Sequence, residues 1–166
     1  MIFSKSPSLR DKKLFAYVML AQKMKDLDPK ELGECLYSLE KSNFSDECLC
    51  SLFQNQYQTF MNTFLSKSIF DKSNCSFEFF FEYHNPFDDS FILPGQIMSA
   101  RVFFQKGIQK KKALVKTPLG TIQATVFLGL DEKDLDLKNY VLVHGDVICW
   151  KLSEKEYETI IKNYFS

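Results

Sequence analysis

The 166-residue chain has no surplus charge, because 21 Lys and Arg stand against 21 Asp and Glu. Neither half departs from balance: residues 1–85 hold 10 basic and 11 acidic side chains, and residues 86–166 hold 11 and 10. Non-specific nucleic-acid affinity comes from net positive surface, so a general phosphate-binding field is not indicated. Neither a GxxxxGK[ST] nor a GxGxxG phosphate loop occurs, which removes the anchor for nucleotide chemistry. Histidine is scarce. His84 and His144 stand in no HExxH or His-x3–5-His spacing, so metal catalysis lacks its ligands. The five cysteines (Cys35, Cys48, Cys50, Cys75 and Cys149) show no repeated spacing. Cys48-Leu49-Cys50 is one residue short of C-x-x-C and has no answering pair, which argues against structural zinc and for thiols acting as small hydrophobes. Ser90 has no GxSxG around it. No apolar run is long: residues 14–21 are too few to span a bilayer and lack the small-residue pattern of a cleaved signal. These absences lead to the expectation of a soluble, cytoplasmic, non-catalytic protein with no metal, cofactor or membrane span.

What is present falls into two parts. Of 17 Phe, 13 precede residue 92, while most Val and Gly follow it. The first part reads as about three helices. Leu14, Tyr17, Val18 and Ala21 recur at helical spacing. Asp28, Pro29 and Glu31 spell a helix start with an N-cap, a proline at the first turn and a capping box. A third helix is predicted from Ser45-Asp46-Glu47, with the stripe Leu49, Leu52, Phe53, Gln56, Phe60 and Phe64. An aromatic row at that spacing is expected in a core, because each ring removes much apolar area from water.

From Ser76 the period changes to two. Phe77, Phe79, Phe81 and Tyr83 alternate with Glu78, Phe80 and Glu82, which predicts a strand with His84 at its end. Residues 85–89 (NPFDD) form a turn by composition. Further strands are predicted over 97–104, 113–116, 121–128 and 140–152, the last changing direction sharply at its Gly145-Asp146 break. Their breaks are Lys106-Gly107, residues 117–120 (TPLG) and the acidic loop 131–136, a weak candidate for a hard cation that lacks the glycine and terminal Glu of a calcium loop. No spacer of βαβ length separates them. The expected fold is α+β: a helical region over 1–75, then a small OB-like β-barrel over 76–166 closed by a C-terminal helix from Ser153.

Two surfaces stand out. The first is residues 140–152, YVLVHGDVICWKL, where His144 lies between apolar neighbours. It reads either as a strand histidine bonded to backbone or as a partner or metal contact. The second is the one basic-aromatic cluster: Arg101, Phe103, Lys110, Lys111, Lys112 and Lys116, with Phe104 beside it. On a barrel such a mix suits single-stranded nucleic acid, since cations track phosphates and rings stack on bases. The near-neutral balance favours a solvated hairpin tip instead and disfavours nucleic acid as a partner.

Residues 90–161 also carry a resemblance. SFILPGQI (Ser90 to Ile97) is followed by a lysine-rich hairpin, ALVKTPLG, TVFL, KNYVLVH ending at His144, and KLSEKE from Lys151. The order and spacing resemble the HypC/HupF/HybG hydrogenase-maturation chaperones, which open on Cys-x-x-x-Pro-Gly-Gln and end on a YVLVH strand and a K-L-[DS]-E-x-E helix start. The resemblance implies a small barrel with a C-terminal helix. It also implies a partner: the HypD scaffold, with which the family carries an iron–cyanide–carbonyl group to a nickel–iron hydrogenase large subunit. Counting back from Pro94, the family's iron-holding cysteine falls on Ser90. A serine hydroxyl stays protonated near neutral pH and ligates iron poorly, so the barrel and a docking surface are expected without the direct iron ligand.

The leading functional expectation is thus a maturation or assembly factor that docks on a metalloenzyme precursor or maturation scaffold. Its partner-binding residues are Ser90, Pro94, Gly95, Gln96, His144, Lys151 and Glu154. The alternatives are an OB-type single-stranded nucleic-acid module using the basic cluster, and a structural adaptor of a secretion or motility complex, where small β domains with GDVI-like strands also occur. Self-association is a further mode open to such an adaptor, through unpaired barrel edges.

Overall fold

The computed structural model describes residues 7–23, 26–66, 75–87, 90–127 and 136–166; at residues 87, 103, 105 and 108–110 it describes the backbone alone. The chain divides into two compact units, Met1–Asp89 and Ser90–Ser166.

The first unit is helical. Helix α1 (Leu9–Gln22) starts at Ser8, whose hydroxyl accepts from Asp11 N at 3.1 Å while the Asp11 carboxylate accepts from Ser8 N at 3.2 Å. That reciprocal pair satisfies two otherwise orphaned backbone donors. Eight consecutive residues of α1, from Leu14 through Ala21, are buried, so the helix is enclosed on every side rather than amphipathic. Helix α2 (Pro29–Lys41) begins where expected, with Asp28 accepting from Glu31 N at 2.8 Å. The single helix expected from Ser45 is two: α3 (Asp46–Phe53) and α4 (Asn55–Ser66). Between them Gln54 adopts φ +46°, which shifts the helical phase. Tyr57 is therefore buried where Gln56 was expected, and Gln56 is exposed. Tyr57 donates to the Asp46 carboxylate, which Lys12 Nζ also approaches at 2.9 Å, tying α1, α3 and α4 together.

The strand expected over residues 77–83 is helical. A short α5 (Cys75–Glu78) runs into wide helical turns over Phe79–His84 and a tight turn over Asn85–Phe87. All of residues 75–81 are buried, so the apparent alternation did not separate two faces. Phe79 lies 5.6 Å from Phe15 and 5.5 Å from Phe60. Packing into that ring cluster outweighs the strand preference of the Phe run. His84 accordingly ends a helical segment, not a strand. Asp88 and Asp89 of the expected turn, and residues 131–135 of the acidic loop, lie outside the described residues.

The second unit is a closed five-stranded barrel of β1 (Ile92–Gln105), β2 (Ile108–Thr117), β3 (Gly120–Val126), β4 (Tyr140–His144) and β5 (Val147–Leu152). The strands run in the order β1-β2-β3-β5-β4, and β4 pairs back onto β1. Every pair is antiparallel except β3 with β5. Strand β1 closes the barrel by changing partners. Ile92 through Gln96 pair with β4, Gln96 onward pairs with β2, and a register shift between Ile97 and Ser99 marks the bend. The strand expected from Ile97 begins earlier, at Ile92. Pro94 is tolerated because the β2 ladder starts only at Gln96, so its missing N–H breaks no bond on that side.

Leu93, Ile97, Val115, Val141, Val143 and Ile148 fill the interior, with Ala113 opposite Ala124. Gly95 sits where two ladders approach closely. A Cβ there would run into Val115 Cγ1 and lie 3.1 Å from the Lys116 carbonyl oxygen. Gly95→Ala is expected to cost about 1–3 kcal/mol in chemical denaturation, the scale of overpacking a core. A variant as stable as the parent would mean that Val115 gives way freely. Helix α6 (Glu154–Ile160) follows β5 directly. Its Ser153 cap accepts from Glu156 N at 3.1 Å, and Glu156 accepts from Ser153 N at 2.9 Å. Tyr157 stacks on Tyr140 with ring centres 4.3 Å apart, and Phe165 packs against the barrel core.

Candidate docking rim of the barrel

The two stretches that carried the sequence resemblance are neighbouring strands. Ile92 lies opposite His144, Leu93 opposite Val143, Pro94 opposite Leu142, Gly95 opposite Val141 and Gln96 opposite Tyr140. The β4–β5 connection is the two-residue turn Gly145-Asp146, with Gly145 at φ +63°. A glycine first in a two-residue hairpin supplies the positive φ that other residues resist. Gly145 N donates to Phe91 O at 2.9 Å, which pins the segment before β1 against this turn. A Cβ on Gly145 would lie 2.9 Å from Ser90 Oγ. Ser90, Phe91, His144, Gly145 and Asp146 thus share one rim of the barrel.

The expected partner-binding residues divide on this frame. Ser90 is half-buried at the rim, and His144, Pro94 and Gly95 are buried. Pro94 and Gly95 shape β1 and offer no surface of their own. Gln96 lies at the other end of the paired segment, where its Nε2 donates to Lys138 O at 3.3 Å. Lys151 and Glu154 are exposed but follow the length of β5, roughly 15 Å from the rim at about 3.3 Å per residue. One surface therefore does not gather all seven. Two rim residues outside the expected set are Phe91, 45 % exposed beside Ser90, and Asp146, exposed in the turn. Their signal was adjacency to the two motifs.

Of the basic cluster, Arg101 and Lys116 are exposed and Lys111 and Lys112 half-buried. Phe103 and Lys110 lie directly opposite each other near the end of the β1–β2 hairpin. Arg101 lies opposite Lys112, and the two line a cleft of about 220 Å³ with Ser99, Ala113, Leu114 and Gln123.

All five cysteines are free. Cys149 is buried, and its thiol donates to Leu142 O at 3.4 Å. Burial pushes its pKa far above the usual thiol range, which suits an inert apolar filler and not a ligand. Native-state labelling with a thiol reagent is expected to modify exposed Cys50 readily and to reach Cys75 and Cys149 only after unfolding. Fast native labelling of Cys149 would contradict its placement. Among the described residues, no three His, Cys, Asp or Glu side chains gather as a metal site, and no helix is long and apolar enough to cross a membrane. Comparison of the chain with protein-family models, curated proteins and solved structures finds no match.

Proposed function

We propose that residues 90–166 form an OB-like docking barrel of the hydrogenase-maturation type, which binds a maturation scaffold or a metalloenzyme precursor and catalyses nothing itself. The OB-like reading rests on the β1-β2-β3-β5-β4 order, the parallel β3–β5 pair and the helix after the last strand. The observation that carries the functional reading is the register of β1 on β4. The Pro-Gly-Gln motif and the YVLVH motif, distant in sequence, pair residue for residue and bring Ser90 to the Gly145 turn. Their meeting on one strand pair supports the reading.

Ser90 holds the position of the family's cysteine. A neutral hydroxyl donates and accepts hydrogen bonds but does not hold iron as a thiolate does, so recognition is retained and iron carriage by this residue is not. Exposed Phe91 supplies an apolar anchor beside it, and Asp146 a charge. The test is affinity purification from the native cell, comparing the parent with Phe91→Ala/Asp146→Lys. Recovery of a HypD-like scaffold or a hydrogenase large-subunit precursor with the parent, and its loss with the variant, supports the reading. Absence of both proteins, or equal recovery with the variant, contradicts it.

A further inference from the structure

Strand β1 runs past the barrel it closes. Ile92 to Gln96 pair with β4 on one side, and from Gln96 to Gln105 the strand pairs with β2 on the other. On the β4 side, Ile97 N donates to Asn139 O at 2.9 Å and Ile97 O accepts from Lys138 N at 2.8 Å. Beyond Ile97, among the described residues, no backbone bonds to that side of β1. Strand β3 reaches β2 only from Lys112 to Thr117, so Val102–Gln105 and Ile108–Lys111 stand as a two-stranded ribbon beyond the third strand.

The alternation of the ladder assigns the groups on the open edge. Lys106-Gly107 is a two-residue turn with both φ angles positive, so Gln105 and Ile108 flank it as a hydrogen-bonded pair. Counting back along the strand, the backbone groups of Arg101 and Phe103 point at β2. Those of Ala100, Val102 and Phe104 point outward. The side chains of these three residues share one face of the strand. Ala100 lies opposite buried Ala113, on the side that lines the barrel interior. Val102 and Phe104 continue that side past the barrel, where they are 54 % and 73 % exposed. An unpaired edge joined to an uncovered apolar stripe is a template for another strand. Proteins guard such edges with lysine. The open edge of β2 has lysine at 110 and 111, whereas residues 98–105 of β1 hold one charged residue, Arg101.

The β1 edge matches a second copy of itself. Antiparallel pairing about a two-fold axis at Val102 sets Val102 opposite the partner's Val102. Ala100 then falls opposite the partner's Phe104, a small residue against a large one. Every outward residue enters a hydrogen-bonded pair, which makes about six backbone bonds across the axis. Arg101 falls opposite position 103 and so does not meet another cation. The two apolar stripes become one continuous face. A two-fold contact of this kind is self-complementary and closes at two copies. We propose that this chain dimerises by antiparallel pairing of two β1 edges over residues 100–104, giving a four-stranded ribbon across the axis. The edge and the rim at Ser90 lie toward opposite ends of β1, and the inference does not rest on the docking function.

The experiment is sedimentation equilibrium of the full chain from about 1 to about 500 μM, a span that covers weak dimers. A monomer–dimer equilibrium is expected. Val102→Lys puts two cations face to face at the axis and is expected to raise the dissociation constant at least about tenfold. Val102→Pro removes the central outward N–H, which no β1–β2 bond uses, and is expected to do the same. Amide exchange followed by NMR supplies a local readout: the Ala100, Val102 and Phe104 amides are expected to slow as the parent's concentration rises. Thermal melts check that the variants remain folded, and the parent's own dimerisation and exchange stand apart from that check. A parent that stays monomeric at about 500 μM overturns the proposal and leaves the edge to a strand from another protein. A dimer that both variants leave unchanged, or one that forms without slowing these three amides, overturns it too.

Discussion

Phe15→Ala is expected to destabilise the helical unit by about 3–5 kcal/mol, the range for deleting a buried aromatic ring. The residue is fully buried on α1, and four rings among the described residues pack around it. Phe60 is 4.5 Å away, Phe53 5.3 Å, Tyr57 5.5 Å and Phe79 5.6 Å, measured between ring centres. Those rings come from α3, α4 and the turns after α5, so one truncation opens a cavity that touches most of the unit. Rings packed on one another relax poorly into such a space, because each is already held by further neighbours such as Phe64 and Phe80. Equilibrium denaturation with near-ultraviolet circular dichroism reads the loss. A cost below about 1.5 kcal/mol would contradict the central place of Phe15, since that is the scale of milder volume-conserving swaps.

Removal of residues 153–166 is expected to unfold the barrel unit rather than to trim its surface. Ile160 is fully buried, Phe165 packs on the core cluster, and Tyr157 covers Tyr140. Burial of an isoleucine and part of a phenylalanine, with one aromatic stack, amounts to about 4–5 kcal/mol. That is comparable to the whole stability of a small domain. The truncated chain should lose its cooperative melting transition in a thermal scan of the barrel. A sharp transition within a few degrees of the parent would mean that α6 is an appendage. Loss of partner binding in such a truncation would therefore say nothing about a docking surface on α6, and point substitutions at exposed positions are the sound probes.

Much of the barrel was legible because its turns are written in the residues that turns require. Lys106-Gly107, the Thr117 to Gly120 corner and Gly145-Asp146 all stand where the sequence places breaks. The Ser153 start of α6 likewise follows from its capping box. The helix starts at Asp28 and Ser45 were readable from their N-cap residues, whose side chains accept from Glu31 N and Cys48 N. What was not legible depended on contacts across the chain. The Phe run after Cys75 has the alternation and the propensity of a strand, and only its packing against α1 and α4 makes it helical. The phase shift at Gln54, which exchanges Gln56 for Tyr57, has no local signal either, since glutamine is not a residue that favours positive φ. In the site, the motif pair was readable, but its burial was not. Pro94, Gly95 and His144 looked like surface because motifs are read as contacts, whereas here they build the strand pair that leaves Phe91 and Asp146 exposed.

The most direct measurement is a titration of the purified protein with a purified HypD-type scaffold by calorimetry, without added iron. A one-to-one complex is expected. Phe91→Ala/Asp146→Lys should weaken it at least about tenfold, which is 1.4 kcal/mol, and Ser90→Cys should leave it within about twofold. The absence of a complex with the parent, or a complex that the rim variant leaves unchanged, would contradict a docking function for this barrel.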